Sequence, residues 1–151
     1  MATGDTVIFE EFANDVGEEG HKFDTETIKF GIVTSAVTPT AADATPTWSD
    51  YSGSEVSTGG GYTANGVTLT SGWAEAGGVG TLQLTSFTLS QNGSGFTNGR
   101  WGIVYNDTNA SDAALGYVDL GTVDETAGDI VIKFNNAASG SPGNFLTITV
   151  T

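Results

Sequence analysis

The sequence predicts a mainly β protein, a single antiparallel β-sandwich or partly closed barrel with one short helix near its N-terminus. Three observations lead there. Charged residues make up 15% of the chain and glycine contributes 22 of its 151 residues, against about 25% charged in a typical soluble domain. From Thr25 onward, apolar residues recur mostly at every second position, the period of a half-buried strand. Clusters of Gly, Asn and Asp interrupt these runs at the spacing of sandwich or barrel strands.

The first element is the exception to the two-residue period. Phe9, Phe12, Ala13 and Val16 fall at i, i+3, i+4 and i+7, which gathers them on one helical face. Asp5 or Thr6 is placed to cap its start, Glu10 and Glu11 complement the positive end of its dipole, and Gly17 offers a stop. A helix this short persists only when docked. Residues 1–20 are therefore expected to form an N-terminal segment whose apolar face lies on the domain's own sheet or on a neighbouring subunit.

Ile28, Phe30 and Ile32 then begin the strand pattern. From Val37 to Gly61 the periodicity is lost. This stretch carries Pro39, Pro46 and the triplet Gly59-Gly60-Gly61, and reads as a long irregular loop with a turn of helix around Trp48 to Tyr51. Loops of this length are usually functional or mobile, and the glycine triplet is where disorder is expected. Asn65-Gly66 signals a turn into Val67 and Leu69. Leu82 and Leu84 share one phase and Phe87 and Leu89 the other, which predicts a β-bulge near Thr85 and Ser86. Trp101, Ile103 and Tyr105 follow, then Leu115, Tyr117 and Val118, then Ile130, Ile132 and Phe134, and finally Leu146, Ile148 and Val150. Nothing along residues 1–151 marks a domain boundary, so one β-rich domain is expected.

Charge restricts the partners. With 18 acidic and 4 basic residues the formal charge is −14. Such a surface repels nucleic acid and anionic lipid, which require clustered Lys and Arg. It suits either plain solubility or a more basic protein partner. No stretch approaches the about 20 apolar residues of a bilayer span. The opening Met-Ala-Thr-Gly-Asp-Thr-Val has no basic residue and no apolar run, so no secretory signal is expected. Without cysteine, disulfides, thiol nucleophiles and thiolate zinc sites are excluded together.

Catalytic chemistry finds little support. His21 is the single histidine, so any histidine-based triad must use it; its setting in Glu-Glu-Gly-His-Lys reads as a surface loop. Paired carboxylates can run glycoside hydrolysis without histidine. Here, though, Asp107, Asp112, Asp124, Glu125 and Asp129 sit in turn-like contexts where acidic residues are ordinary turn formers. Asp107 to Asp112 imitates the start of an EF-hand loop, but Asp112 stands where Gly is needed and Val118 where Glu is needed. An irregular, weak cation site is all that survives of it. The glycine clusters lack the Lys-Ser/Thr or the strand-to-helix setting of a phosphate cradle. No cofactor is expected. Trp101 shares strand phase with Ile103 and Tyr105 and reads as core, whereas Trp48 and Trp73 lie in less regular segments suited to a packed loop or an interface.

The order of segments nevertheless resembles something. A short helix precedes Asp24-Thr25-Glu26-Thr27-Ile28-Lys29-Phe30-Gly31-Ile32-Val33-Thr34-Ser35, and a Thr/Ala/Asp-rich loop leads into Ala44-Thr45-Pro46-Thr47-Trp48-Ser49-Asp50. Gly61-Tyr62-Thr63-Ala64-Asn65-Gly66-Val67-Thr68-Leu69, Arg100-Trp101-Gly102-Ile103-Val104-Tyr105-Asn106-Asp107-Thr108 and Leu115-Gly116-Tyr117-Val118-Asp119-Leu120-Gly121 follow. This succession, covering most of the chain, resembles small β-rich structural proteins of tailed bacteriophages. The resemblance implies a non-enzymatic virion component made in the host cytoplasm. It implies first a capsid decoration (cement) protein binding the major capsid protein or other virion proteins, with a homo-oligomer such as a trimer fitting local threefold axes. A tail-associated or head-fibre module binding host glycans through Trp48, Trp73 or Tyr62 is the alternative, and a carboxylate-dependent hydrolase the third reading. The resemblance brings no catalytic or ligand residues with it. Apolar residues outside the alternating strands, Phe9, Phe12, Val16, Trp48 and Tyr51, are the candidate interface.

Overall fold

The computed structural model describes residues 2–18 and 20–150. Its framework is a five-stranded sheet in the order β1-β8-β7-β2-β3, formed by β1 (Thr6–Ile8), β2 (Ile28–Val33), β3 (Val67–Leu69), β7 (Gly99–Asn106) and β8 (Ala114–Val123). A three-stranded sheet runs β10-β5-β4, from β4 (Ser71–Ala76), β5 (Val79–Thr85) and β10 (Pro142–Thr149). A ribbon pairs β6 (Phe87–Leu89) with β9 (Ile130–Ile132). The strand pairings are antiparallel, and no sheet among the described residues closes into a barrel. The two helices are α1 (Phe12–Gly17) and α2 (Trp48–Ser52). The fold is thus mainly β, as the two-residue period predicts, with one helix more than the N-terminal one and without the barrel alternative.

The strands β2, β7 and β8 differ from half-buried strands in one respect: nearly every residue along the first two is covered on both faces. Ile28, Phe30, Ile32, Val104, Leu115 and Val118 face a large core shared with Leu82 and Leu84 of β5, Leu89 of β6, Ile130 and Ile132 of β9, and Phe145 of β10. Val33, Trp101, Ile103, Tyr105 and Tyr117 face a second, smaller core with Phe9, Trp48 and Tyr51. Each such side chain moved out of water contributes about 1.5–3 kcal/mol, so the sheet is stable only if both faces are covered.

The cover on the second face comes from the irregular stretch 37–61. Thr47 caps α2 with a reciprocal Thr47–Asp50 capping box, and the Trp48 N–H donates to Asp112 O at 2.9 Å. The Trp48 ring then lies flat on Tyr105, centroids 4.9 Å apart and 3° from parallel. It reaches the sheet because position 31 has no side chain, since a Cβ on Gly31 would stand 2.3 Å from the indole. Val56, from the same stretch, is buried in the larger core instead, and its N–H donates to Ile32 O at 3.0 Å. The expected free loop is a lid on the sheet.

Three further expectations are corrected. Residues 6–8 do not begin a helix but pair with β8, Thr6 opposite Val118 and Ile8 opposite Gly116. The helix starts only at Phe12, without a side-chain cap from Asp5 or Thr6. Exposed ladder groups on β8 outcompeted a helical turn too short to sustain itself. Near Ser86 there is no bulge; the chain leaves one sheet and joins another. Buried Ser86 makes this passage possible, its N–H donating to Ser141 O (2.9 Å), its carbonyl accepting from Gly140 and its hydroxyl accepting from Phe134 N–H (3.0 Å). Finally, Ser71–Ala76, which shows little alternation, is the strand β4. A two-residue turn of Gly77 and Gly78, both at positive φ (61° and 83°), joins it to β5. That is the hairpin geometry Gly-Gly favours.

The Gly31–Trp48 contact gives a test. Gly31→Ala overpacks the indole and should lower stability by about 1–3 kcal/mol. In a Trp48→Ala background the same change should be nearly neutral, a coupling of about 1 kcal/mol or more in a urea-denaturation double-mutant cycle.

Candidate functional site

Four of the five candidate interface residues are covered within the chain. Phe9 stacks on Tyr51 (6.0 Å) and packs on Tyr117 (5.3 Å), Trp48 lies on Tyr105, and Phe12 joins the larger core. The Tyr51 hydroxyl donates to Asp43 Oδ2 at 2.8 Å. Burial and this carboxylate push the Tyr51 phenol up. Val16 differs: it is 51% exposed and, together with Phe23, Trp73 and Ile148, borders a groove of about 440 Å³. Its helix begins only at Phe12, so Phe9 lies outside it and the i+7 spacing does not place the two on one helical face. A partner touching this region meets Val16, not the four rings.

The stacking residues expected of a glycan site divide similarly. Trp48 and Tyr62 are buried. The Tyr62 hydroxyl accepts from Ile32 N–H and donates to Glu55 Oε1, both at 2.8 Å. Burial, with the Glu55 carboxylate, raises this phenol also. Trp101 is core, as its phase predicts, with Arg100 Cζ 4.2 Å from its ring centroid. Trp73 remains partly open beside Phe23 (5.6 Å).

His21 is not a surface residue. Its side chain is 2% exposed and packs beside Phe12 and Phe23 with near-parallel rings. Its protonation follows from Asn106, which is fully buried. Asn106 Oδ1 accepts from the backbone N–H groups of Thr108 (3.1 Å) and Asn109 (3.3 Å), so its amide nitrogen faces the other way. That nitrogen donates to Glu26 Oε2 (2.6 Å) and meets His21 Nδ1 at 3.0 Å. Nδ1 must therefore accept, which leaves the proton on Nε2, 3.3 Å from Asp15 Oδ2. Both ring nitrogens are committed, to an amide and a carboxylate, and neither meets a hydroxyl. The cluster ties α1 to the sheet. The sequence signal for it is Asn106 at the head of Asn-Asp-Thr-Asn, an Asx-turn pattern.

Glu125, expected to be a solvated turn residue, is fully buried. Gly61 N–H donates to its Oε1 at 2.6 Å, its own N–H donates to Phe96 O (3.0 Å), and its carbonyl accepts from Asn92 N–H (3.0 Å). Its carboxylate fits between Gly60 and Gly95, where an added Cβ would lie 2.4 Å and 2.7 Å from it. The glycine triplet expected to be disordered is the wall of this cradle. Glu125 Oε2 has no hydrogen-bond partner, and close contact with the two glycines encloses it.

Arg100 and Asp119 form the third polar cluster. The guanidinium engages both carboxylate oxygens and Gly121 N–H donates to Oδ1 at 2.8 Å. These hydrogen bonds, Arg100's foremost, hold the Asp119 carboxyl below the usual carboxylate range. In the Asp107–Asp112 loop, Asp107 pairs with Lys29 at 2.8 Å and Asn109 Nδ2 donates to Gly20 O at 2.8 Å. Among the described residues no group of three or more His, Asp or Glu side chains gathers to hold a metal, and no helix is long and apolar enough to cross a membrane. The chain matches no protein-family model, and comparison with curated proteins and with solved structures gives no match.

Arg100→Met leaves Asp119 covered without its cation and should cost about 1–3 kcal/mol at pH 7. Because Asp119 titrates lower when folded, its contribution is complete above about pH 4 and is lost as pH falls through the lowered folded value. Urea-denaturation midpoints of wild type and variant should therefore converge as the pH is lowered through the depressed folded value of Asp119, below the usual carboxylate range.

Proposed function

We propose that this chain is a structural protein of a tailed-phage particle, a capsid decoration (cement) protein that binds major capsid subunits and stabilises the shell. In this reading the large core shared by the five- and three-stranded sheets makes the domain a β-sandwich, and the protein works through its surface without catalysis. The observation that carries the reading is how the polar groups are used. His21 and Asp119 are closed on partners within the chain and Glu125 is enclosed with its Oε1 bonded to Gly61, while strand edges remain open around a surface of net charge −14. Such a surface suits a more basic protein. The segmental resemblance to phage structural proteins points the same way.

A decoration protein stabilises by binding the expanded shell and not its precursor, as any state-selective ligand does. Many symmetric copies allow each contact to be modest. Purified chain should co-sediment with expanded capsids of its phage, should bind unexpanded shells at least tenfold less, and should raise the shells' dissociation temperature. Equal binding to both, or to neither, contradicts the role.

The second reading, host-glycan adhesion from the tail or a head fibre, is favoured by one residue, since Trp73 alone of the three tryptophans keeps a partly open ring. Retention on a glycan array that Trp73→Ala abolishes supports adhesion; a blank array with shell binding intact supports decoration.

A further inference from the structure

We infer that the free edge of β9, in the groove it shares with the end of β8, receives an extended, Lys- or Arg-bearing segment of a partner protein, which pairs there as an added strand. The inference deepens the proposed function and rests on it only for the partner's identity.

The edges come first. Strand β1 covers β8 from Gly116 to Val118, and Asp119 exchanges hydrogen bonds with Gly4 and Asp5. Beyond Asp119, β1 has ended and no strand lies beside Leu120 to Val123, but Gly121, at φ 71°, already gives its N–H to Asp119 Oδ1 and its carbonyl to Arg100, so this wall of the groove offers side chains and not a ladder. The one strand neighbour of β9 is β6, so its other edge is free. Both edges border the same groove, of about 370 Å³, with Val118, Leu120, Val123 and Ile130 along it. A three-residue, two-stranded ribbon is marginal alone and gains a ladder from a third strand.

Two of the other edges, those of β10 and β4, are blunted in the ways that suppress unwanted pairing. Strand β10 begins at Pro142 and has an irregular register at Phe145, and β4 carries Glu75. Strand β9 instead presents Val131, 48% exposed and the one large exposed hydrophobic residue that lies within a strand among those described.

Charge selects the occupant. Asp124 and Asp129 stand on the rim, held in place by N–H groups of Asn98 (2.6 Å) and Gln91 (2.7 Å) and without a cationic partner among the described residues. Lys133 is the cation on the same rim, against a net charge of −14. A basic segment with an apolar residue facing Val131 complements both features.

The probe is an eight-residue peptide of alternating Lys and Val, beside the same peptide N-methylated at alternate positions. NMR titration should show slowed amide exchange at residues 130–132 and shift changes confined to residues 120–123 and 130–132. The N-methylated peptide should bind at least tenfold more weakly, and the double variant Asp124→Asn, Asp129→Asn, which keeps a side-chain oxygen to accept from Asn98 and Gln91 N–H, should lose about tenfold in affinity, the effect of about 1.4 kcal/mol. Changes mapping to β4, β10 or the Val16 groove, equal binding of the N-methylated peptide, or no binding overturn the inference. Val131→Lys then separates it from the function proposed above. Shell binding by wild type that the variant loses supports both. Retention in both proteins overturns this groove and leaves decoration standing. Failure of wild type on shells, with the peptide still seated in the groove, overturns decoration and leaves the groove.

Discussion

Two faces of one sheet must both be kept dry, and most of this chain's departures from simple β architecture follow from that. Phe30 and Ile32 point into the larger core, while Val33, Ile103 and Tyr105 point the opposite way. The other strands cover the first face. The second is covered by segments outside the strands, Phe9 before α1 and Trp48 and Tyr51 in α2. The absent side chain at Gly31 sets how closely that cover can approach.

Holding irregular chain against a sheet creates a second requirement, because backbone and polar groups removed from water must find partners. Buried side chains meet it at the crossings. Asn106 gathers the loop after β7 with His21 and Glu26, Ser86 serves the passage between sheets, Tyr62 bonds to Ile32 and Glu55, and Glu125 clasps Gly61. The same bonds hold the loops in order. What the molecule offers outward is charge, strand edges and a few apolar side chains such as Val16 and Val131.

Periodicity made most of the strands legible, since Ile28–Val33, Gly99–Asn106 and Ala114–Val123 follow their apolar patterns and Asn65-Gly66 turns where expected, both residues at positive φ. The misses have particular causes. Thr6–Ile8 is a strand because β8 offered it a ladder, a long-range fact that the local helical spacing of Phe9, Phe12 and Val16 does not contain. Ser71–Ala76 has one large apolar residue, Trp73, and its hairpin was readable only in the Gly77-Gly78 pair. The buried polar residues were the least legible: Glu125 and His21 sit among turn formers and charges, and only the return of distant glycines and Asn106 makes them interior. Of the five apolar residues outside the strands offered as an interface, Phe9, Phe12, Trp48 and Tyr51 are buried within the chain and Val16 is exposed.

The fold therefore depends on residues 37–61 being a fixed cover and not a free loop. Amide hydrogen exchange of the isolated protein measures this directly, because exchange requires local opening. Protection at Trp48, Val56, Gly61 and Tyr62 within about tenfold of that at Ile32 and Ile103 is the predicted result, corresponding to opening energies that differ by about 1.4 kcal/mol or less. Exchange in 37–61 at the rate of an unstructured chain, with the strands still protected, would contradict it and return that segment to the role of a mobile attachment arm.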